Sequence, residues 1–340
     1  MATTCGQDVK VVAPLYVNHY LAEAPAELSV LGLPSPYLPK SGRLYRYVNA
    51  LLAVPVLKHI QPDILHESYY AASSVAPRGT KVVLTVFDMI HERFKDRISA
   101  FDPVSREKIL AVKRADHVIC ISEQTRRDLV ELTDVDPIKT SVVHLGFSLI
   151  KSATVQQRSC PAQRPFLLYV GRRGGYKNFE GLLEAFAASR LLTAEFKLVC
   201  FGGGSITSEE RNLISRLSLP ADSVSQVSGD DEVLAGYYRA ASAFVFPSLY
   251  EGFGLPPLEA MSFDCPVICS DVSSIPEVVG DAAAMFDPSE PEAMRQAIET
   301  VIEDKEMRQL LIARGRKRIE GFSWSRCALA TLDVYRKVLG

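Results

Sequence analysis

The sequence predicts an α/β protein built from two doubly wound parallel sheets, one in each half of the chain. Short apolar runs rich in β-branched residues alternate with segments of helical periodicity throughout, which is typical of parallel βα units. The length of 340 residues exceeds one ordinary domain and suits two. Each half is therefore expected to form its own nucleotide-binding type of sheet.

The domain boundaries follow from the same pattern. Residues 1–150 are predicted to form the first domain and residues 166–322 the second, with a linker at residues 151–165 in a polar, aperiodic stretch. Residues 323–340 begin with a capping serine and continue with apolar residues at helical spacing. This predicts a terminal amphipathic helix that packs back toward the first domain.

Each half supplies enough short strands for a sheet. The predicted strands of the first half are Lys10–Ala13, Ile64–Glu67, Lys81–Phe87, His117–Ser122 and Ser141–His144, and its helices are Gly42–Ile60, Val104–Ala115 and Glu123–Leu132. The predicted strands of the second half are Phe166–Val170, Lys197–Phe201, Ser223–Val227, Ala243–Pro247 and Val267–Cys269. The first strand comes within ten residues, and no glycine-rich turn leads from it into a helix. We therefore expect the N-terminal domain to lack its first βα unit.

Composition excludes several classes of protein. The net charge of −2, from 38 basic and 40 acidic residues that are interspersed, offers no footprint for nucleic acid. The seven cysteines are an odd number and sit in apolar runs, which favours reduced core thiols and a cytoplasmic location. No signal peptide opens the chain, and no apolar run reaches the roughly 18 residues that span a bilayer.

The most informative segment covers residues 246–261. It follows a strand and opens a helix, with glycines at the turn and two prolines at the helix start. The backbone amides and the helix dipole would together seat an anion. The amides concerned are those of Gly252, Phe253, Gly254 and Leu255.

Two glutamates, Glu251 and Glu259, bracket that seat. Carboxylates accept hydrogen bonds from sugar or ribose hydroxyls, so acids beside an anion site favour recognition of a nucleotide sugar. Alternatively, Glu259 only complements the helix dipole and Glu251 is a solvated turn residue. The glycines, prolines and preceding strand together favour the binding site.

A second glycine-bearing loop follows the strand that ends at Val170. Its Arg172 and Lys177 fall beyond the carboxyl end of that strand, where open α/β sheets bind their ligands. Arg can hold two phosphate oxygens and Lys supplies a mobile point charge, so the pair suits a diphosphate. A solvated basic loop is the alternative.

These motifs resemble glycosyltransferase family 4, the retaining enzymes of the GT-B fold, over nearly the whole chain. The matching stretches are GRRGGYKNF at Gly171–Phe179, YRAASAFVFPSLYEGFGLPPLEAM at Tyr238–Met261, PVICSDVSSIPEVVGDAA at Pro266–Ala283, FSW at Phe322–Trp324 and ADHVICISEQTRRDL at Ala115–Leu129. The spaced glutamates are the most specific part of the resemblance.

The resemblance implies a role for each residue. Arg172 and Lys177 would bind the donor diphosphate, Glu259 the ribose, and Glu251 the sugar hydroxyls near the anomeric centre. The amides of the 252–255 turn would face phosphate and sugar. A phosphate oxygen would take the acceptor proton on the same face, so that no side-chain base is needed. The resemblance also implies catalysis without a metal, and no other cofactor is expected.

In the first half, the strand ending near Phe87 is expected to face the cleft. The family usually places His immediately before the Asp at this point, where this chain has Phe87. Asp88 itself, or His91 three residues later, is predicted to contact sugar or acceptor; a surface histidine is the alternative for His91. The tripeptide Asp134–Asp136 is the only Asp-x-Asp, and its turn context favours turn chemistry over a metal site.

The predicted reaction moves a hexose from a nucleoside-diphosphate sugar to a hydroxyl of a glycan or lipid-linked acceptor of a cell-surface polysaccharide. Resemblance to mannosyltransferases favours GDP-mannose as the donor, followed by a UDP-sugar. Three alternatives remain: donor hydrolysis or phosphorolysis, a nicotinamide-dependent oxidoreductase, and a truncated or non-catalytic nucleotide-sugar-binding subunit. The oxidoreductase lacks its G-x-G-x-x-G fingerprint.

The stretch Lys40–His59 combines apolar residues with the basic side chains of Lys40, Arg43, Arg46 and Lys58. Such a segment can rest on an anionic bilayer, which would suit a lipid-linked acceptor at the inner face of the plasma membrane. An ordinary surface helix is the alternative.

Overall fold

The computed structural model describes residues 8–25, 27–36, 38, 42–94, 103–147, 164–220 and 222–340. Within these ranges the chain forms parallel sheets flanked by helices, as the alternating pattern predicts. Most of the predicted linker lies outside the described residues.

The described part of the first half carries two parallel sheets. Two strands pair in the smaller sheet, β1 (Lys10–Tyr16) and β2 (Ser29–Pro34). Four strands follow one another in the larger sheet: β3 (Ile64–Glu67), β4 (Lys81–Val86), β5 (His117–Cys120) and β6 (Thr140–Val142). The helices are α1 (His19–Ala22), α2 (Gly42–Ile60), α3 (Ile90–Arg93), α4 (Val104–Arg114) and α5 (Glu123–Leu132).

The strand β2 and the short helix α1 that precedes it were not predicted. Gly32 and Pro34 are residue types depleted in strands, so the segment carries a weak strand signal. Its glycine has a packing reason, because a Cβ at Gly32 would lie 1.7 Å from the carbonyl oxygen of Ala13 on β1.

The second half forms one parallel sheet of six strands in the described residues, in the order β12-β11-β10-β7-β8-β9. These strands are β7 (Phe166–Val170), β8 (Lys197–Phe201), β9 (Val224–Val227), β10 (Ala243–Phe246), β11 (Val267–Ser270) and β12 (Ala283–Phe286). The helices are α6 (Phe179–Ala188), α7 (Arg190–Glu195), α8 (Ser208–Arg216), α9 (Asp231–Ala240), α10 (Leu255–Ser262), α11 (Ile275–Val279), α12 (Pro291–Glu303) and α13 (Lys305–Ile319). The alanine-rich edge strand β12 was missed because alanine has little preference for strands.

The central strands of this sheet are covered on both faces. On β10, Phe244 and Phe246 enter one hydrophobic core, whereas Ala243 and Val245 enter the core on the opposite face. A strand buried on both sides has a continuous apolar sequence, which explains why this run was readily predicted.

The final helix, α14 (Trp324–Leu339), crosses to the first half of the chain. Ser323 caps it by accepting a hydrogen bond from the amide of Arg326. Its Val334 packs with Val83 of β4 and Ile119 of β5. None of the helices in the described ranges reaches the length and apolarity that crossing a bilayer requires.

Candidate active site

Two loops meet where the strand order of the six-stranded sheet reverses. Residues 171–178 follow β7 and residues 247–254 follow β10; we call them the Arg172 loop and the Gly252 loop. The two strands are parallel neighbours, and the amide of Leu249 donates a 2.7 Å hydrogen bond to the carbonyl of Tyr176. Ligands of open α/β sheets bind beyond the strand ends at such a reversal, so the two loops mark the candidate site.

The side chains of Lys177 and Glu251 join these loops. Lys177 Nζ lies 2.6 Å from Glu251 Oε1, and the side chains are only 20% and 11% exposed. The rings of Tyr176 and Phe246 lie 5.3 and 5.6 Å from the ammonium group. In this half-buried aromatic setting the charges interact more strongly than at an open surface. The fold thus brings together two predicted site residues that are 74 positions apart.

The structure separates the functions of the two adjacent arginines. The guanidinium of Arg173 is held by Glu210 at 2.9 Å and by the carbonyls of Gly202 and Gly204 at 3.0 and 2.8 Å. Arg172 is exposed, and its side chain makes none of the hydrogen bonds or ion pairs found in the described part of the chain. Arg173 is therefore committed to stabilising its own domain, while Arg172 remains available to an anion.

Two serines of the same domain hold the backbone of the Gly252 loop by hydrogen bonds. Ser273 Oγ donates to the carbonyl of Glu251 at 2.9 Å and accepts from its amide at 2.8 Å. Ser274 Oγ donates to the carbonyls of Glu251 and Phe253, both at 2.8 Å. Among the described residues, the amides of Gly252, Phe253 and Gly254 donate no hydrogen bond. Since these amides lead into the N-terminus of α10, they lie where an anion would be stabilised by the helix dipole.

Glu259 lies in the second turn of α10 and is mostly buried. Its Oε2 accepts a hydrogen bond of 3.2 Å from the hydroxyl of Tyr238, a fully buried residue of α9. Burial raises the pKa of Glu259, while the Tyr238 hydrogen bond partly opposes that rise. A half-satisfied buried carboxylate of this kind can accept hydrogen bonds from ligand hydroxyls.

Residues of the first half close over the Gly252 loop. A Cβ at Gly252 would lie 2.0 Å from the carbonyl oxygen of Phe87 and 2.9 Å from Cβ of Asp88. Burial, and after it the negative charges of Glu251 and Asp88, raise the pKa of Tyr176 to about 12. Asp88 therefore lies beside the candidate site, as the strand pattern predicts.

His91 and His66, which follow or lie near the end of strands of the first half, differ in their surroundings. His91 is partly buried in α3, three residues after Asp88. His66 is bonded through Nδ1 to the hydroxyl of Tyr335 at 2.5 Å and through Nε2 to Thr85 at 2.7 Å. Burial lowers the pKa of His66 to about 4. His66 is thus a neutral residue that joins α14 to the first domain.

The Asp-x-Asp tripeptide has a local structural function. Asp136 caps a short 3₁₀ helix at Pro137–Lys139 by accepting a 3.0 Å hydrogen bond from the amide of Ile138. In the described ranges, no group of three or more His, Cys, Asp and Glu side chains is arranged to hold a metal ion.

Both halves of the chain match known protein families. Residues 4–150 match the family described as Glycosyltransferase Family 4, and residues 151–318 match the family described as Glycosyl transferases group 1. O-antigen chain mannosyltransferase B of Escherichia coli is 30% identical over 262 residues, which cover 74% of this chain and 68% of that protein. The chain belongs to glycosyltransferase family 4.

This family 4 glycosyltransferase is also similar to one further protein in sequence and to one solved structure in fold. Serotype-specific mannosyltransferase WbdA of Escherichia coli is 30% identical over 312 residues, which cover 83% of this chain but only 38% of WbdA. Sucrose-phosphate synthase from Thermosynechococcus elongatus matches in structure with a TM-score of 0.70 at 24% identity, over 93% of this chain and 84% of that one. The predicted GT-B fold, with two Rossmann-like domains, is confirmed.

Sequence reasoning named charged residues of the two loops in this glycosyltransferase but missed the residues that hold these loops in place. Ser273 and Ser274 fix the Gly252 loop, and Tyr238 holds Glu259. All three lie within stretches that carried the family resemblance, so a signal was present. The sequence pattern could not show the hydrogen-bond partner of each side chain, because that partner comes from a neighbouring element.

Proposed function

We propose that this glycosyltransferase moves a hexose, with mannose favoured, from a nucleoside-diphosphate sugar to a hydroxyl of a glycan or lipid-linked acceptor with retention at the anomeric carbon. GDP-mannose is the preferred donor and a UDP-sugar the next candidate. The observation that carries the proposal is the contact of Lys177 with Glu251 at the strand-order reversal.

The chemistry follows from the charges around that contact. As the bond from the anomeric carbon to the diphosphate oxygen breaks, negative charge grows on the leaving diphosphate. Arg172, Lys177 and the amides of residues 252–254 supply compensating positive charge without a metal ion. The acceptor oxygen bonds to the anomeric carbon on the same face, and its proton passes to an oxygen of the departing diphosphate.

The carboxylates orient the donor. Glu251, held by Lys177, would accept hydrogen bonds from sugar hydroxyls near the anomeric centre, and Glu259 would accept them from the ribose. Asp88 and His91 would contact sugar or acceptor from the first domain, where closure of the cleft excludes water. Mannose as the sugar is supported by the mannosyltransferase relatives.

A donor screen tests the proposal. Thermal-shift titration with GDP-mannose, UDP-sugars and the free nucleotides is followed by a transfer assay with glycan and lipid-linked acceptors, and by determination of the anomeric configuration of the product. A retained configuration with GDP-mannose is expected. Binding without any transfer or hydrolysis would instead identify a non-catalytic nucleotide-sugar-binding subunit.

Glu259→Gln is expected to weaken donor binding about tenfold, because a charged hydrogen-bond acceptor becomes a neutral one. Calorimetric titration with a nucleoside diphosphate and with its 2′,3′-dideoxy analogue measures the effect. The wild type should prefer the ribose form, and the variant should lose most of that preference.

The same group predicts a pH dependence. Burial raises the pKa of Glu259 above its ordinary 4.5, so the carboxylate takes up a proton at a higher pH than a solvated one. Donor affinity of the wild type should therefore fall as the pH drops toward that raised pKa, and Glu259→Gln should not show this dependence. Equal pH profiles for the two proteins would contradict the ribose role.

Peripheral membrane contact is also part of the proposal. Leu44, Tyr47 and Leu51 project from one face of α2 and are 62%, 64% and 56% exposed. Of the basic residues predicted to assist, Lys58 is exposed, whereas Arg46 is paired with Glu107 at 2.6 Å. Lys40 and the side chain of Arg43 lie outside what the structure describes.

The double variant Leu44→Ser/Leu51→Ser is expected to lose most binding to vesicles that contain anionic lipid, since it removes the apolar face that would insert. Liposome flotation measures the bound fraction. The control is Leu310→Ser/Leu329→Ser, which removes leucines of similar exposure, 45% and 49%, from other helices. Equal flotation of both double variants would contradict contact through α2.

A further inference from the structure

Helix α5 of the first domain holds both residues that flank Glu251. Ser122 Oγ and Thr125 Oγ1 donate to the carbonyl of Gly252 at 2.7 and 3.2 Å. The hydroxyl of Tyr250 donates to Asp128 Oδ2 at 2.5 Å. Because the residues before and after Glu251 are bonded to the first domain at α5 and its cap, the position of its backbone depends on that helix as well as on Ser273 and Ser274.

Asp128 is the more informative of these partners because its carboxylate accepts hydrogen bonds from three parts of the structure: α3, α5 and the Gly252 loop. Its side chain is 1% exposed. It accepts from Arg93 at the end of α3, with Nη2 at 2.5 Å and Nε at 3.2 Å. It also accepts from Gln124 of its own helix at 3.0 Å, in addition to Tyr250. Arg93 belongs to the same segment as Asp88 and His91, so one carboxylate connects the first-domain side of the cleft to the Gly252 loop.

A buried carboxylate is stable only while its donors are in place, because its desolvation must be offset by hydrogen bonds and an opposite charge. Separation of the domains would remove Tyr250 from Asp128 and leave an oxygen of the carboxylate without its donor. Closure restores the bond and at the same time locates the residue next to Glu251.

We infer that Asp128 is a positioning residue that couples cleft closure to the placement of Glu251, acting through Tyr250 on one side and Arg93 on the other. The inference rests on the proposed function in that it takes Glu251 to contact the donor sugar. Asp128 itself does not touch the donor.

The test uses Tyr250→Phe, Asp128→Asn and the double variant. Each single change is expected to lower kcat about tenfold, which corresponds to about 1.4 kcal/mol. The dissociation constant for the nucleoside diphosphate should be unchanged, because its proposed contacts lie in the second domain. The double variant should be no slower than the slower single variant, since both changes remove one shared interaction.

Glu131→Gln is the matched control. Glu131 is the second carboxylate bound to Arg93, but it is 62% exposed, so its loss should leave kcat unchanged. If Asp128→Asn does not fold, Tyr250→Phe still decides, because it removes only a hydroxyl. The inference would be overturned if Tyr250→Phe had the kcat of the wild type. It would also be overturned if the fold-reduction in kcat of the double variant equalled the product of the two single reductions.

Small-angle scattering separates this inference from the proposed function. Wild-type protein with GDP or UDP should be more compact than Tyr250→Phe with the same nucleotide. If the wild type transfers no sugar, the proposed function fails, yet the scattering comparison still tests the coupling. Equal compaction of both proteins would refute it.

Discussion

Lys177→Ala is expected to lower kcat on the order of a hundredfold, about 2.7 kcal/mol of transition-state stabilisation. Lys177 is the charge that connects the Arg172 loop to Glu251, and its removal takes positive charge from a site where diphosphate charge would grow. The effect should appear in kcat more than in donor affinity, because Arg172 and the loop amides still hold the ground-state diphosphate. Steady-state transfer kinetics and donor titration measure the two quantities.

Lys197→Ala is the control for this variant. Lys197 begins β8 of the same sheet and pairs at 3.2 Å with Asp222, which is 66% exposed, so it should retain full activity. Lys177→Ala also leaves Glu251 without its counter-ion, so the double variant Lys177→Ala/Glu251→Gln shows how much of the loss comes from that stranded charge. Full activity of Lys177→Ala would refute the role of this lysine.

Gly252→Ala is expected to lower kcat on the order of a hundredfold as well, for a steric reason. The added Cβ would lie 2.0 Å from the carbonyl oxygen of Phe87, and a backbone oxygen cannot yield as a flexible side chain does. The first domain would then be unable to approach the Gly252 loop, although the second domain keeps its fold. Donor binding should consequently change much less than transfer.

Gly236→Ala is the matched control for this steric effect. A Cβ at Gly236, on α9, meets no atom within 4 Å, and alanine in a helix is more favourable than glycine. That variant should be as active as the wild type and at least as stable. Wild-type kcat in Gly252→Ala would show that the working enzyme does not bring Phe87 so close to this loop.

Much of this architecture could be predicted because its signals are local. The strand Phe166–Val170 and the helix Glu123–Leu132 have the predicted bounds, since apolar runs and capping residues report burial and backbone conformation directly. Strand β2 escaped prediction because Gly32 is explained only by its contact with Ala13. A local pattern cannot contain a contact of that kind.

The sequence by itself determined the fold class, the family and the loops that bear the charged residues. Only the tertiary structure showed why Arg172 and not the adjacent Arg173 remains available, since Arg173 is held by Glu210 and by the carbonyl of Gly202 at the end of β8. Only the tertiary structure, likewise, paired Lys177 with Glu251 and Tyr250 with Asp128. The physical reason is that composition and spacing determine how a segment buries its apolar face, whereas polar partners are chosen by strand order and by the approach of the two domains.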